Sequence, residues 1–560
     1  METFVQSAPQ LANQYLDDTF LRSLLSRRLP AEVLFAIEPQ LKRVGELAAG
    51  ELYALQLSDR LNEPRLTHWD AWGTRVDRIE LTPLWRRSEA LSVELGLTAI
   101  PYEQRHGRHS RTHQFALVYL FHPSTDVYTC PLAMTDGAAR TLIESGNAAL
   151  IGRAVPHLTS RDSQTFWTSG QWMTEATGGS DVGAALTTAR LAADGSWHLE
   201  GKKWFTSAAT SQMALTLARP QGNTPGGSGL ALFYVETRDA QGRLQAIRIE
   251  RLKDKLGTRK VPTAELTLEG TPAIAVAGTT HGTRHIAPML RITRVWNSVC
   301  ACAFMRRGLA LAVDYAQRRE AFGARLIDQP LHADTLAGLQ AELAGALLMT
   351  FELVELLGAD EARELQDSGR QLLRLLLPIT KLVTGKQVVA CASEVLESFG
   401  GAGYVEDTGL PVLLRDSQVL PIWEGTTNVL SLDALLRTEL QDGLRALVAR
   451  VDQALAAARD PRLEDPVAVA RHLLERASRW VSVPRERDAA QADARRFALV
   501  VGRALQLALL IEQAQWSAEQ EGNGSVIVLA RRFASVPLPA IDAAPPAESR
   551  AVLQGLKPAQ

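Results

Sequence analysis

The spacing of apolar residues changes twice along this 560-residue chain, and each change marks a different kind of structure. Residues 1 to about 165 carry apolar positions that recur at three and four, as in ARTLIESGNAALIGRAV, which is the period of an amphipathic helix. From about Met173 to Glu269, short runs such as MALTLA and LALFYVE alternate with Gly, Asp and Pro turns, which indicates a compact all-β unit. After about Arg284 the helical period returns. The order therefore predicts an α+β protein of several domains.

The second helical region has the most regular apolar face. That face runs from Leu336 to Val354. A second apolar face, from Val388 to Phe399, ends just before Gly400 and Gly401, and glycine is the residue type expected past a helix C-terminus. Long helices with apolar faces pack as bundles, and Pro378 is predicted to start or kink one of them. A further helical region, from about Asp442 to Leu529, precedes a Pro- and Ala-rich segment, residues 537–550, that is predicted to be disordered. The two faces consist of Leu336, Leu339, Leu343, Leu347, Phe351 and Val354, and of Val388, Cys391, Val395 and Phe399.

Charge and composition exclude several classes of function. The formal net charge of -2 provides no general attraction to nucleic acid or to anionic membranes. No apolar run approaches the roughly 18 residues of a membrane helix, and the N-terminus lacks the pattern of a signal peptide, so we expect no membrane span. The four cysteines are too few and too scattered for a disulfide framework or a four-cysteine zinc site. A reducing, cytoplasmic location is predicted.

Two motifs in the β region have residue types suited to binding a polar, conjugated ligand. MTEATGGSDVG, from Met173 to Gly183, combines hydroxyls with glycines, which let backbone N–H groups approach a planar or phosphate-bearing ligand. In GKKWFTSA, Trp204 and Thr206 are predicted to share one face of a strand, so that the indole can stack on a ring while the hydroxyl bonds its edge. A glycine turn and a core tryptophan are the alternatives.

Two further motifs lie in the second helical region. RREAFG ends a long helix, where Arg319 can bind a phosphate or can simply be a solvated helix-end arginine. FGGAGY is followed by PIWEGTTNVL, in which Glu424 lies between Ile422 and Trp423 on one side and a Gly-Thr-Thr turn on the other. If this carboxylate is buried, loss of solvation raises its pKa toward the value of an efficient general base. An exposed, non-functional glutamate is the alternative.

Other sites have little support in the sequence. His106, His109 and His113 are spaced for one helical face, but the arginines among them favour a solvated segment over a metal site. The chain has no P-loop, zinc-protease or serine-hydrolase motif and no strand-GxGxxG-helix unit. No metal site is predicted.

The four motifs, in this order from about Met173 to Asp433, resemble those of the acyl-CoA dehydrogenase family. The segments LTHWDAWGTRVDRIELTPLW, RIERLKDKLGTRK and FGARLIDQPL, together with a C-terminal extension of about 120 residues, are similar to the AidB-like branch of that family. The resemblance implies an N-terminal α-helical domain, a middle antiparallel β-barrel domain, a C-terminal four-helix bundle and an extra helical extension. We place these domains at residues 1–170, 171–284, 285–438 and 439–560, the last with a disordered tail.

The resemblance also implies a role for each matching residue. Glu424 matches the catalytic base. Arg294 matches a position near the CoA moiety, and Ser180 is assigned to substrate as well as to cofactor. Glu397 and Arg291 depart from the family pattern, which usually has Gln near the partner's adenine and Asp near CoA. The residues implied to bind FAD are Met173, Thr174, Gly179, Ser180, Trp204, Thr206, Arg319, Phe322, Gly401, Thr426 and Asn428, with Arg319, Phe322 and Gly401 commonly acting across a subunit boundary.

The implied activity is FAD-dependent α,β-dehydrogenation of an acyl-CoA thioester in fatty acid metabolism. Implied partners are electron-transferring flavoprotein and further copies of the chain in a homotetramer. The alternative is an AidB-like, DNA-associated flavoprotein of the alkylation-damage response, with little dehydrogenase activity, that binds duplex DNA through residues 439–560. That extension is only slightly basic, and its candidate phosphate-binding stripe is Arg471, Arg476, Arg479, Arg495, Arg496 and Arg503.

Overall fold

The computed structural model describes residues 6–537 and 540–555. Most of the described chain is helical, and most of the strands come between residues 169 and 275 in the sequence. The α-helices are α1 Thr19–Arg28, α2 Ala31–Ala49, α3 Glu51–Ser58, α4 Pro83–Leu95, α5 Ile100–Glu103, α6 Ser110–Phe121, α7 Thr129–Ser145, α8 Ala148–Leu158, α9 Gly282–His285, α10 Ala287–Arg318, α11 Pro330–Glu361, α12 Asp367–Ser398, α13 Pro411–Ser417, α14 Thr427–Leu436, α15 Leu440–Leu455, α16 Glu464–Ser482, α17 Arg487–Gln520, α18 Ser525–Ala534 and α19 Pro546–Leu553.

The strands form one seven-stranded sheet and two small hairpins. In the large sheet β6 pairs with β4 and with β7, so that β6, β4, β5, β9 and β7 close into a ring, with β3 beside β6 and β8 beside β9. The predicted β-barrel is therefore present, but it is not wholly antiparallel, because β6 runs parallel to both β3 and β4. The strands are β1 Arg65–Trp69, β2 Arg75–Glu80, β3 Ser169–Trp172, β4 Thr188–Leu191, β5 Trp197–Thr206, β6 Met213–Pro220, β7 Ala231–Glu236, β8 Ile247–Leu252, β9 Ala264–Ala275, β10 Glu320–Ala321 and β11 Ala324–Arg325.

The chain divides into two compact units. Unit 1 comprises the chain up to Lys42, His106–Thr112 and the chain from Asn297 onward, and unit 2 comprises Arg43–Arg105 and His113–Trp296. The predicted four-domain division stays a prediction.

The β1–β2 hairpin of unit 2 interrupts the N-terminal region, which is otherwise mostly helical, as predicted. Asp77, with φ +41°, accepts hydrogen bonds from Arg75 Nε at 2.9 Å and from the backbone N of Ile249 at 3.0 Å. Leu66 and Ile79 pack against the barrel core. The tight turn Asp70–Thr74 lies within LTHWDAWGTRVDRIE and is closed by Asp70 Oδ1, which accepts from Trp72 N and Thr74 N at 2.8 Å.

In unit 1 the two predicted apolar faces are confirmed. Leu343, Leu347 and Phe351 of α11 are at most 2% exposed. α12 ends at Ser398, and Gly400 has φ +60°. Pro378 neither starts a helix nor separates two, because it lies inside the 32-residue α12.

The C-terminal extension packs on the bundle through α17. This helix contacts α11, α12, α14, α15, α16 and α18. Its Arg503 donates to Glu342 Oε1 at 2.6 Å and to the carbonyl of Phe533 at 2.7 Å, and its side chain is only 9% exposed. Arg503 is therefore removed from the candidate phosphate-binding stripe, because its charge is used inside the fold.

A largely buried set of six charges, here called the ion cluster, connects α1, α11, α15 and α17. Glu352 accepts from Arg28 Nη1 at 2.9 Å and from Arg450 Nε at 2.6 Å. Glu512 lies 3.0 Å from Arg450 Nη2 and 2.8 Å from Arg27 Nη1. With Glu355, which lies 3.0 Å from Arg28, the cluster has three positive and three negative side chains.

Two further expectations need correction. The segment predicted to be disordered contains the first part of α19, and just before that helix Ala543 N donates to Asp493 Oδ1 at 2.6 Å. Leu538 and Pro539 of that segment lie outside the described residues. Two described helices, α12 and α17, are long and apolar enough to cross a membrane, although no such run was expected. Their apolar windows are 72% and 89% buried in the structure, as in the core helices of a globular bundle.

Candidate functional site

The loop that follows β3 holds the first motif against β5. The carbonyl of Thr174 accepts from Trp204 N at 3.0 Å, and Gly178 N donates to the carbonyl of Glu175 at 3.0 Å. A Cβ at Gly179 would lie 2.6 Å from Thr174 Oγ1, so the loop needs glycine there. The structure thus brings Thr174, Gly179 and Trp204 together.

A buried ion pair lies directly beneath this loop. Lys203 Nζ, which is fully buried, donates to Glu175 Oε1 at 2.8 Å and to the carbonyl of Leu217 at 2.8 Å. Glu175 also accepts from Leu186 N at 2.6 Å and from Thr187 Oγ1 at 2.6 Å. Burial acts to raise the pKa of Glu175, but the Lys203 charge and these hydrogen bonds outweigh it and hold the pKa below its usual range. The pair therefore fixes both ends of the loop to the barrel.

Trp204 and Thr206 do not follow the simple strand alternation that the sequence predicted. A bulge lies between Lys203 and Thr206, which pair with Leu266 and Ala264 of β9 and are both buried. The Thr206 hydroxyl donates to the Ala264 carbonyl at 2.6 Å, so its hydrogen is used within the barrel. Only its acceptor capacity is left for a ligand in this geometry.

The indole of Trp204 is half-buried and carries a cation on one face. Lys253 Nζ lies 3.5 Å from the centroid of the Trp204 ring and 2.6 Å from Glu265 Oε1. Arg251 Nη2 lies 2.7 Å from the same carboxylate. Lys253 therefore restrains the ring orientation through a cation–π contact.

The remaining residues of this part of the site are more open. Ser180 is exposed, and Met173 is half-buried, with its sulfur 3.2 Å from Gln171 Nε2. Gln171 Oε1 and Trp172 Nε1 are buried and have no hydrogen-bond partner among the described residues. The unpaired Gln171 Oε1, whose amide nitrogen contacts the Met173 sulfur, and the half-buried indole of Trp204 fit a polar, aromatic ligand such as a flavin.

In unit 1, Glu424 lies in a turn of unusual backbone geometry. Its φ is +56°, and that of Gly425 is +104°. Thr426 then caps α14, its hydroxyl accepting from Val429 N at 3.5 Å, and Asn428 is exposed in the first turn of that helix. Glu424 is partly exposed, so its carboxylate is less buried than the sequence argument for a general base requires. The adjacent Trp423 has a buried Nε1 without a hydrogen-bond partner in the described chain.

Arg319, Phe322 and Gly401 form a separate group. The rings of Tyr315 and Phe399 lie 4.8 Å apart, which brings the C-terminal ends of α10 and α12 together. Phe322 is 99% exposed, and a Cβ at Gly401 would meet no atom within 4 Å. Within one chain this group is remote from Glu424: Lys381 of α12 contacts Gly425, and at about 1.5 Å per residue it lies about 26 Å from Ser398 at the end of α12.

Arg294 lies on α10, half-buried, in unit 2. One turn before Arg294, Arg291 forms an ion pair with Glu144 of α7. Glu144 therefore neutralises the positive charge that Arg291 introduces where the family pattern usually has Asp. Glu397 is exposed near the end of α12. Among the residues that the structure describes, no cluster of His, Cys, Asp and Glu could hold a metal ion.

The sequence matches four protein-family models in succession. They are "Adaptive response protein AidB N-terminal domain" over residues 6–164, "Acyl-CoA dehydrogenase, middle domain" over 170–271, "Acyl-CoA dehydrogenase, C-terminal domain" over 280–438 and "Acyl-CoA dehydrogenase 11 C-terminal domain-like" over 442–551. Acyl-CoA dehydrogenase family member 11 of Caenorhabditis elegans is 41% identical over 548 residues, covering 95% of this chain and 88% of the relative. The chain belongs to the acyl-CoA dehydrogenase family.

One further relative and one solved structure are also similar to this chain. The putative acyl-CoA dehydrogenase AidB of Escherichia coli K12 is 31% identical over 78% of this chain and 80% of its own length. The crystal structure of C. elegans ACDH-11 in complex with C11-CoA superposes with a TM-score of 0.94, at 38% identity, over 99% of this chain and 97% of that one.

Family membership confirms the predicted fold class, the oxidoreductase class and the cofactor FAD. The roles of individual site residues stay predictions. Four functional candidates were missed from the sequence: Glu175, Lys203, Lys253 and Lys381. Lys203 had a signal, because a lysine next to Trp204 in a strand faces the opposite, inner side and needs a carboxylate there.

Proposed function

We propose that this chain oxidises an acyl-CoA thioester to the α,β-unsaturated thioester, with Glu424 as the base. FAD supplies, when bound, the acceptor for the hydride that leaves the β-carbon with two electrons. The observation that carries the proposal is the geometry of Glu424, a carboxylate presented by a strained turn next to the partly buried Trp423.

Glu424 would take the α-proton: the α C–H bond breaks, a carboxyl O–H bond forms, and the electron pair left on the α-carbon becomes the new double bond as hydride leaves the β-carbon. The base must lie within hydrogen-bond reach of that proton. A residue with left-handed backbone geometry is held in one orientation only if its surroundings maintain it. The fixed turn therefore suits a base whose task is accurate positioning.

The flavin would be held by the loop from Met173 to Ser180 and by the indole of Trp204. In the loop, glycines permit close approach of backbone N–H groups. By the family resemblance, Thr426 and Asn428, next to Glu424 in unit 1, are further proposed cofactor contacts, and Arg294 is the proposed contact to CoA.

For the substrate we propose an acyl-CoA with a chain of medium length. This rests on the ACDH-11 structure, which contains C11-CoA and aligns with nearly the whole of this chain. The test is anaerobic titration of the purified flavoprotein with acyl-CoAs of increasing length. Loss of the oxidised flavin band with C11-CoA supports the proposal, and an unchanged spectrum with every chain length contradicts it.

We further propose that the working form is a homotetramer that passes its electrons to electron-transferring flavoprotein. Phe322 and Tyr404 are 99% and 91% exposed, and Leu331 is 81% exposed, which is unusual for large apolar side chains. The distance along α12 between the Gly401 end and the Glu424 turn also favours Arg319, Phe322 and Gly401 serving a neighbouring copy. Light scattering of the purified protein gives its mass directly; a monomer would contradict the tetramer.

Duplex DNA binding by residues 439–560 is not favoured as the main function. Arg503 is engaged inside the fold, and residues 442–551 match a model named for an acyl-CoA dehydrogenase. Exposed arginines do exist at Arg471, Arg479 and Arg495. Salt-dependent binding of the full chain to duplex DNA, lost when these three are replaced by alanine, would restore the DNA proposal, and binding unchanged by their replacement would remove it.

A cytoplasmic location is the last part of the proposal. All four cysteines are buried and free, which agrees with a reducing compartment. Cell fractionation tests it.

A further inference from the structure

One face of α12 supports the turn that carries Glu424. Lys381, which is fully buried, donates from Nζ to the carbonyl of Gly425 at 2.6 Å. One helical turn later, a Cβ at Gly385 would lie 3.3 Å from the Leu420 carbonyl oxygen and from Pro421 Cα. Residues at i and i+4 lie on the same helix face. The segment before Glu424 and the residue after it are therefore both held by α12.

A second helix fixes the start of the same segment. Asn297 Nδ2 of α10 donates to the Leu420 carbonyl at 3.1 Å. The backbone N atoms of Ile422 and Trp423 both donate to the Val419 carbonyl, at 2.9 and 3.0 Å. The chain is thus anchored on the N-terminal side of Glu424, whereas on the C-terminal side Lys381 reaches the peptide next to the carboxylate residue.

The peptide that Lys381 binds lies in a strained stretch of backbone. Glu424 and Gly425 have consecutive positive φ angles, +56° and +104°. For a residue with a side chain this conformation is costly, and it persists only when its neighbours impose it. Glycine meets no such cost at the second position.

We propose that Lys381 is a positioning residue for the catalytic base: its ammonium group holds the Gly425 carbonyl and so fixes the direction of the Glu424 carboxylate. This inference rests on the proposed function, because it requires Glu424 to be the base. Lys381 acts through the backbone and need not contact substrate. A hydrogen bond from a charged donor is among the stronger ones in proteins, so its loss frees the turn to relax.

The test compares Lys381→Met with Lys386→Met in the full-length flavoprotein. Methionine retains an unbranched side chain but removes the donor, and Lys386 is an exposed lysine of the same helix. Three quantities are measured: the rate of flavin reduction by C11-CoA, the dissociation constant of S-undecyl-CoA, a thioether that cannot be dehydrogenated in the same way, and amide hydrogen exchange over residues 419–428.

For Lys381→Met we expect reduction about tenfold to a hundredfold slower, the size expected for losing a charged hydrogen bond. Thioether binding should stay within about twofold, and amide exchange over the turn should rise about tenfold or more. Lys386→Met should match wild type in all three. If Lys381→Met does not fold, Lys381→Gln carries the same test, because its amide is too short to reach Gly425.

Wild-type reduction rates and turn exchange in Lys381→Met would overturn the inference. Equal losses in reduction rate and thioether affinity would overturn it too, since they would indicate a general structural role. Failure of the proposed function is distinguishable, because then the wild-type flavin itself is not reduced by any acyl-CoA, while hydrogen exchange still reports whether Lys381 holds the turn.

Discussion

Removing one charge from the ion cluster should destabilise unit 1 much more than removing a similar charge from its surface. The perturbation is Glu352→Gln, which keeps the shape of the side chain but not its charge. Glu352 is 8% exposed and lies within 3.1 Å of both Arg28 and Arg450. Loss of the Glu352 charge leaves the guanidinium groups of Arg28 and Arg450 partly uncompensated in a region with little water.

The magnitude follows from the protonation equilibrium. Burial acts to raise the pKa of Glu352, but the charges of Arg28 and Arg450 outweigh it and lower the pKa from 4.5 to about 2. At about 1.4 kcal/mol per pKa unit, the ionised carboxylate contributes about 3 kcal/mol to the free energy of unfolding. That value is close to the roughly 3–5 kcal/mol lost when one partner of a buried pair is removed. For a unit of this size it corresponds to about 5 °C in the unfolding midpoint.

The sign of the pH dependence gives a stricter test. Because the folded pKa lies below 4.5, the contribution of Glu352 is present above pH 4.5 and is lost as the pH falls toward 2. Glu355 works in the opposite direction: burial raises its pKa, so its ionised form opposes folding until it is protonated. Glu352→Gln removes the contribution of Glu352 and leaves Glu355 in place. The difference in unfolding midpoint between wild type and variant should therefore become smaller as the pH falls.

The assay is thermal unfolding followed by circular dichroism between pH 3 and pH 7. The control is Glu364→Gln, which removes an exposed partner of Arg108 at 3.4 Å and should shift the midpoint by about 2 °C or less. A Glu352→Gln midpoint equal to that of the control, or a difference in midpoint from wild type that is constant with pH, would show that the ionised Glu352 does not stabilise the ion cluster.

Three further predictions concern the site. Glu175→Gln leaves Lys203 buried without its carboxylate and should weaken FAD affinity about tenfold or more, measured by fluorescence titration of the apoprotein, whereas exposed Lys202→Met should not change it. Lys253→Met should change the contribution of Trp204 to the tryptophan fluorescence, because it removes the cation over the indole ring. Arg251→Met, which removes another cation near Glu265, should leave the fluorescence spectrum as in wild type. Equal spectra for both variants would contradict the cation–π contact between Lys253 and Trp204. The thiols of Cys302 and Cys391, whose pKa values burial raises to about 12, should resist alkylation at pH 8 until the chain unfolds, and rapid labelling of the native protein would contradict their burial.

Much of the fold could be predicted because hydrophobic period is a local property of the sequence. The apolar faces of α11 and α12 were visible at spacings of three and four, and both are buried. The β1–β2 hairpin was missed because its stability comes from Asp77, whose partner Ile249 is distant in sequence. The parallel pairing of β6 with β3 and β4 is likewise set by chain crossings that no local pattern records.

The candidate site was predictable where a motif is short and continuous, as in the loop from Met173 to Gly183. The bulge before Thr206 broke the expected alternation, since an inserted residue reverses the faces of the strand. Lys253 and Lys381 could not be found from the sequence, because each meets its target through tertiary packing. Pro378 does not start a helix, because it lies inside the 32-residue α12; its alternative role, a kink, stays a prediction.

The most direct test of the account is anaerobic titration of wild-type protein and Glu424→Gln with C11-CoA while the flavin spectrum is followed. The oxidised flavin band of the wild type should disappear, and the variant, with the same FAD content, should retain it. Equal reduction of both proteins would show that Glu424 is not the base, and an unreduced wild-type flavin at every acyl chain length would contradict the proposed reaction itself.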